Sequence, residues 1–389
     1  MINFNKHIKI GIIGAGSMGT GIAQVAAAAG HDVIVYDTNS AQLQKSNESM
    51  HSTMRMLADK GKITLEDSDN ILSKFQYTDN LGELSKCGLI IEAIVEDLEV
   101  KKKLFAQLDE IVKEDCFLAT NTSSLPVVAV ASGSRKPGRV IGLHFFNPAP
   151  LMKLVEIVPA ITTDKNIAEL CYNLMKEWGK TPVYAKDTPG FIVNKVARPY
   201  YGEALRIYEE GIADFATIDF AMKSVGNFKM GPFELMDLIG NDVNYKVTET
   251  VFREFYFDQR YKPSITQKRY VEAGWYGRKT NRGFYDYHST EKPEPKDDKE
   301  LHNLIFNRII AMLINEAADT LMMGIATKED IDLAVRLGVN YPKGLLEWAN
   351  EIGIEKVVST LNRLYEKYHE DRYRVSPTLK EKAAQHKLF

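Results

Sequence analysis

The stretch KIGIIGAGSMGTGIAQVAAAAGHDVIVYD, Lys9 to Asp37, decides the fold. Lys9 to Gly14 is apolar and rich in isoleucine, the composition of a buried strand. Ser17 to Ala29 is a run of small residues that reads as a helix packed closely on its neighbours. Asp32 to Asp37 (DVIVYD) reads as a second strand ending in an acid. Between the first strand and the helix lie Gly14, Gly16 and Gly19 in the spacing G-x-G-x-x-G. In that setting each glycine has a physical task. Gly14 permits a tight turn, Gly16 lets a pyrophosphate approach the backbone, and Gly19 lets helix and strand pack closely. The helix N-terminus offers N–H groups and partial positive charge to phosphate. Ser17 and Met18 complete the loop and count with the glycines as cofactor contacts. Asp37, about eighteen residues beyond Gly19, is placed to accept hydrogen bonds from ribose hydroxyls and to repel a 2′-phosphate. Thr38-Asn39-Ser40 supplies no arginine, so the predicted cofactor is NAD rather than NADP.

Outward from this unit the pattern continues. Gln42 to Lys60 is polar and helical. Gly88 to Ala93, Phe117 to Thr120 and Arg139 to Phe146 are strand candidates, with a helix predicted over Leu98 to Val112. A strand-like VEIV, a helix over Ile167 to Trp178 and a strand over Thr181 to Ala185 follow. Alternating strands and helices predict an α/β fold with a doubly wound, Rossmann-type parallel sheet over residues 1–186. At Asp187-Thr188-Pro189-Gly190 the character changes, and residues 187–288 read as all-helical. Ser289 to Glu300 (STEKPEPKDDKE) is charged and holds two prolines, so 289–300 reads as a linker. Residues 301–389 read as a second helical domain. It repeats the first: Asn194 to Gly240 aligns without gaps on Asn307 to Gly353, with about 14 of 47 positions identical. The paired glycines Gly211/Gly324 and Gly240/Gly353 are expected to cap helices in the left-handed conformation.

Composition excludes several classes. The 389 residues carry a net charge of −3, with no basic surplus for nucleic acid. No apolar run approaches the roughly 20 residues that span a bilayer. MINFNKHIKIGIIGAG enters a strand-like pattern at once and lacks the build of a signal peptide. The three cysteines are odd in number and widely spaced, and make neither a C-x-x-C nor a metal-ligand cluster. These features predict a cytoplasmic protein with no metal.

The chemistry centres on GLHFFNPAPLMKLVEIV, Gly142 to Val158. A histidine in so apolar a run must find hydrogen-bond partners or lose free energy. Of the eight histidines, His7, His31, His51, His288, His302, His369 and His386 sit in polar or exposed-looking contexts. His144 alone follows a strand of the nucleotide-binding domain. An imidazole suits the removal of a hydroxyl proton during hydride transfer, and a carboxylate that fixes its tautomer improves it. Glu156 is the candidate carboxylate. Glu96 and Lys101, after one strand, and Asn121, Thr122, Ser123 and Ser124, after another, lie where strand ends face a ligand crevice. Each admits a plain alternative, a solvated helix start or a capping turn.

With these residues in place the chain resembles the L-3-hydroxyacyl-CoA dehydrogenases of β-oxidation and related pathways. The resemblance rests on GAGSMGTGIAQVAA, IEAIVEDLEVKKKLF, TNTSSL, GLHFFNPAPLMKLVEIV, KDTPGFIVNKVARPYYGEALR and MGPFELMDLIG. The tandem helical domains are especially similar to those of 3-hydroxyadipyl-CoA dehydrogenases. The resemblance implies helical domains like the C-terminal part of 6-phosphogluconate dehydrogenase. It implies NAD-dependent interconversion of (S)-3-hydroxyacyl-CoA and 3-oxoacyl-CoA, with 3-hydroxybutyryl-CoA or 3-hydroxyadipyl-CoA as substrate. It also implies roles: His144 as general acid/base with Glu156, Ser123 near the 3-oxygen and the nicotinamide, and Asn194 on the acyl group. Asn121, Asn147, Glu96 and Lys101 would contact NAD. In the family the first helical domain makes a homodimer contact. Here a homodimer and a monomer in which the second repeat takes the partner's place are both open, and Asn307, the repeat-mate of Asn194, is expected to be structural. Lys60 and Lys62 are candidates for the CoA phosphates. Two other readings are a dehydrogenase of a small CoA-free hydroxy acid such as gulonate, and a non-catalytic NAD-binding protein. Relatives acting on gulonate carry HP-x-NPP where this chain has HFFNP.

Overall fold

The computed structural model describes residues 8–291 and 293–389; His7 lies outside them. The chain divides between Thr188 and Pro189 into two compact units.

The first unit is built on eight strands: β1 (Ile10–Ile13), β2 (Val33–Tyr36), β3 (Phe75–Thr78), β4 (Leu89–Glu92), β5 (Phe117–Thr120), β6 (Val140–Phe145), β7 (Leu154–Pro159) and β8 (Thr181–Tyr184). They form one sheet in the order β3-β2-β1-β4-β5-β6-β7-β8. The pairings are parallel except that β7 runs antiparallel to β6. The helices are α1 (Ser17–Ala28), α2 (Ser40–Asp59), α3 (Leu65–Leu72), α4 (Leu98–Ile111), α5 (Val127–Ala131) and α6 (Lys165–Glu177). Strand side chains alternate between faces. Ile10, Ile12, Val33, Val35, Leu89 and Ile91 pack with residues of α1 and α6. Ile13, Ile34, Ile90 and Leu118 pack with residues of α4 and α5 on the other face. Both faces are covered, which is why these strands read as continuous apolar runs. Chain order reverses between β1 and β4, and the carboxyl ends of those strands flank the crevice where such sheets bind ligands.

Three elements of this unit, α3, β3 and the five-residue α5, escaped the sequence reading. α3 follows a capping box in which Thr64 and Asp67 satisfy each other's backbone N–H groups, a T-x-x-D signal that was legible. β3 is a four-residue edge strand with no fully buried residue, so its apolar pattern is weak.

The second unit is helical: α7 (Val193–Val196), α8 (Arg198–Glu209), α9 (Phe215–Gly226), α10 (Pro232–Ile239), α11 (Asn241–Glu254), α12 (Ile265–Glu272), α13 (Lys299–Met322), α14 (Lys328–Gly338), α15 (Leu345–Ile352), α16 (Ile354–Tyr368) and α17 (Pro377–Gln385). Both repeats lie within it. α13 is 24 residues long and packs against α8 and α9 of the first repeat as well as α15, α16 and α17 of its own. It is buried nearly all round from Ile305 to Thr320, and the polar side chains Arg308, Asn315, Glu316 and Asp319 within that span are buried with the apolar ones.

The duplication is visible in detail. Asp219 accepts hydrogen bonds from the N–H groups of Phe233 (2.8 Å) and Glu234 (2.9 Å) at the start of α10. Its repeat-mate Asp332 accepts from Leu346 (2.8 Å) and Glu347 (3.1 Å) at the start of α15. One expectation needs correction. Gly211 and Gly324 follow helices with φ of +69° and +58°. Gly240 and Gly353 also have positive φ, but with ψ of 125° and 119° they are not left-handed helical. Each ends one helix and begins the next without a spacer, and the extended ψ turns the chain directly into α11 or α16.

Candidate functional site

The glycine loop leaves β1 and enters α1. Gly14 has φ of +101°, and a Cβ there would meet the Ala93 carbonyl oxygen at 2.6 Å. A Cβ on Gly19 would lie 1.8 Å from the Gly14 carbonyl oxygen, so helix and loop touch backbone to backbone. Around Gly16 there is open space, with nothing within 4 Å of a built Cβ. Gly16 is also the N-cap of α1, which no side chain caps. A cavity of about 630 Å³ opens beside it, lined among others by Gly16, Ser17, Lys45, Lys62, Pro150 and Leu151. Lys60 does not line it. Asp37, just beyond β2, accepts the Ala15 N–H at 2.8 Å and the Asn39 N–H at 2.9 Å. The acid thus ties the end of β2 to the glycine loop.

A second cluster gathers after β4 and β5. The Glu96 carboxylate accepts from Thr122 Oγ1 (2.5 Å), the Ser123 N–H (2.9 Å) and the Ser124 N–H and Oγ (3.2 and 3.1 Å). Ser123 Oγ is 3.3 Å from the same oxygen. Burial alone would raise the Glu96 carboxyl, but Lys101 and these donors outweigh it and hold it below its ordinary value. Lys101 is 1% exposed. Its ammonium lies between Glu92 Oε1 (2.5 Å) and Glu96 Oε2 (3.2 Å). Glu92 is fully buried at the end of β4 and also accepts from Thr120 Oγ1 at 2.7 Å. Sequence reasoning missed Glu92 and Thr120; the signal was an acid closing the apolar run GLIIEA, nine residues before a lysine.

The third element is the histidine. β6 and β7 are antiparallel, and their register sets His144 opposite Glu156. His144 Nδ1 and Glu156 Oε2 are 2.6 Å apart, with the carboxylate fully buried and the imidazole 6% exposed. An ionised carboxylate can only accept, so this pairing sets a proton on Nδ1 and leaves Nε2 as the ring nitrogen that does not face Glu156. The Phe146 ring tilts against the imidazole at 4.5 Å. Asn121 Oδ1 accepts the Phe145 N–H at 2.8 Å, which fixes the loop after β5 to the end of β6. Lys180 donates to the carbonyls of Ala149 and Met152 and holds the NPAPLM turn; sequence reasoning missed this residue too. Asn147 is exposed in that turn.

The structure therefore brings Glu96, Lys101 and Ser123 into one hydrogen-bonded group, and His144 and Glu156 into another. Asn194 belongs to the helical unit, half-buried on α7 beside the fully buried Lys195. Asn307 is exposed on α13. Among the described residues no group of three His, Cys, Asp or Glu side chains is placed to hold a metal ion, and no helix is long and apolar enough to cross a membrane.

Residues 9–188 match the NAD-binding domain of 3-hydroxyacyl-CoA dehydrogenase, and residues 190–287 and 304–388 match its C-terminal domain. The chain is 36% identical to the 3-hydroxyadipyl-CoA dehydrogenase of Escherichia coli, over 96% of this chain and 97% of that protein. It is 42% identical to the 3-hydroxybutyryl-CoA dehydrogenase of Clostridioides difficile, over 72% of this chain and 99% of that one. The crystal structure of 3-hydroxybutyryl-CoA dehydrogenase from Escherichia coli superposes with a TM-score of 0.93 at 35% identity, covering 97% of this chain and 98% of that one.

Proposed function

The chain belongs to the 3-hydroxyacyl-CoA dehydrogenase family, and on that premise we propose that His144 and Glu156 are its acid/base pair. The reaction is the oxidation of an (S)-3-hydroxyacyl-CoA to the 3-oxoacyl-CoA, and its reverse. Bound NAD supplies the hydride acceptor. His144 Nε2 removes the 3-hydroxyl proton as the C3 hydride departs, and returns it to the forming alkoxide in reverse. Glu156, hydrogen-bonded at Nδ1, keeps the tautomer and stabilises the imidazolium. The observation that carries this reading is the buried 2.6 Å pairing of His144 with Glu156.

The loop geometry fits the cofactor. Open space at Gly16, an N-terminus without a side-chain cap and an acid at the end of β2 are what a pyrophosphate and a ribose need. Gly14, Gly16, Ser17, Met18, Gly19 and Asp37 would hold the dinucleotide, with Asn121 and Asn147 toward the nicotinamide. Glu96 and Lys101 would support the same region, chiefly by setting the loop that carries Ser123. Ser123 would bond the 3-oxygen, and Asn194 the acyl group. Lys62 and Lys45 offer cations to the CoA phosphates.

The named relatives point to 3-hydroxybutyryl-CoA or 3-hydroxyadipyl-CoA as the substrate. The test is NADH oxidation by the purified protein with acetoacetyl-CoA and, in parallel, 3-oxoadipyl-CoA. Turnover that is lost in His144→Ala supports the reading, and the ratio of the two rates assigns the substrate. NADH binding without turnover of either compound overturns it.

A further inference from the structure

The two repeats exchange ion pairs. Lys195 of the first repeat is fully buried and reaches Glu316 of the second, with Thr320 Oγ1 at 2.9 Å as a second acceptor. Arg308 stands at the position of Lys195 in the second repeat and reaches Glu203 of the first at 2.5 Å. Glu203 and Glu316 are themselves repeat-mates. The tyrosines follow suit: Tyr261 OH donates to Glu316 at 2.5 Å, and Tyr373 OH to Glu203 at 2.8 Å. Two copies of one motif thus meet face to face with reciprocal contacts, the pattern of a two-fold interface inside a single chain.

The exchange is symmetric in structure but not in consequence. Lys195 directly follows Asn194, whereas Arg308 follows Asn307, which is exposed on a 24-residue helix. Asn194 rides on α7, a helix of four residues preceded by Phe191 with φ of +49°. A helix of one turn has no stability of its own, so tertiary anchors must set its orientation. Successive residues on a helix are turned by about 100°, so an anchor that fixes Lys195 also fixes the direction of Asn194.

We propose that Glu316, a residue of the second repeat, is a positioning residue for the reaction: through Lys195 it aims Asn194 at the acyl group. The second repeat therefore completes the substrate-holding part of the first. This rests on the reading of Asn194 given above.

The repeat supplies its own control. Glu316→Gln and Glu203→Gln remove equivalent buried carboxylates, and both should lower the melting temperature of the full-length protein. In Glu316→Gln the KM for the 3-oxoacyl-CoA should rise about tenfold or more, with the NADH dissociation constant within about twofold. Glu316→Asp should recover part of the loss. In Glu203→Gln kcat and KM should stay within about twofold of wild type. Equal kinetic effects in the two variants, or a folded Glu316→Gln with wild-type KM, would overturn the proposal. Should Glu316→Gln fail to fold, Thr320→Val removes the second acceptor of Lys195 together with the hydroxyl's own bond to the Glu316 carbonyl, and an unchanged KM there overturns it. Asn194→Ala separates the two layers. If Asn194→Ala has wild-type kinetics, the reading of Asn194 is wrong. If it is impaired while Glu316→Gln is not, the positioning role alone falls.

Discussion

His144 and Glu156 stand directly opposite each other on adjacent antiparallel strands, so sheet register itself assembles the dyad. A slip of one residue between β6 and β7 would turn one of the two side chains to the other face. The pair is thus held by two paired strands, and needs no loop to bring it together. His144→Ala should lower kcat by about 10²- to 10⁴-fold, the usual worth of a positioned acid/base. The NADH dissociation constant, read by fluorescence, should stay within about twofold, because the glycine loop and Asp37 are untouched. Near-normal turnover would remove His144 from the mechanism. Glu156→Gln should lower kcat and shift its pH profile; an unmoved profile would make Glu156 purely structural.

The glycine loop offers a sharper pair of variants. In Gly19→Ala the new methyl would sit 1.8 Å from the Gly14 carbonyl oxygen, and backbone must shift. That variant should melt well below wild type and lose NADH binding with it. In Gly16→Ala nothing lies within 4 Å of the new methyl, so the melting temperature should stay near wild type. NADH affinity should still fall about tenfold or more, because the methyl occupies space the pyrophosphate needs. Wild-type affinity in Gly16→Ala would show that the phosphates do not approach here.

How much of this was legible depended on range. Local signals worked: the strand–loop–helix around Gly14, Gly16 and Gly19 carries its periodicity and its punctuation within thirty residues, as such units do at roughly that length. The pairing of His144 with Glu156 was readable because an intervening turn brings the two strands together. Lys101 was not readable in the same way. Its sequence neighbourhood is that of a solvated helix start, yet tertiary packing buries it against Glu92 from the preceding strand. The exchange of Lys195 and Arg308 between repeats was hidden for a related reason. Its partners lie more than a hundred residues apart, and no periodicity reports a contact at that distance.

Glu96 gives a prediction of a different kind. Its carboxylate gathers the N–H and hydroxyl groups of Thr122, Ser123 and Ser124, so it acts as the peg on which the TNTSS loop is hung. Glu96→Ala should free that loop while Lys101 keeps Glu92 as its partner. Turnover should fall and KM for the 3-oxoacyl-CoA should rise, by about tenfold in kcat/KM, with a modest loss of melting temperature. A variant with unchanged kcat/KM would show that Ser123 does not depend on this anchor.

The inter-repeat cluster should respond to acid. Burial alone would raise the Glu210 carboxyl, but hydrogen bonds from Arg308, Tyr368 and Arg206 outweigh it and hold it at about 2. The folded value thus lies below the ordinary glutamate value of about 4.3. Between the two, the unfolded chain binds a proton that the folded chain does not. Glu210 therefore contributes its full stabilisation above about pH 4.3, and loses it as pH falls toward 2. Urea unfolding of wild type and Glu210→Gln at a series of pH values reads this directly. Wild type should be the more stable near neutrality, and the gap should close as pH is lowered through that window. The other carboxylates of the protein titrate in both proteins and cancel from the difference when they do not couple to Glu210. A gap that stays constant from neutral to acid pH would mean that the ionised carboxylate of Glu210 is not what joins α8 to Arg308 on α13.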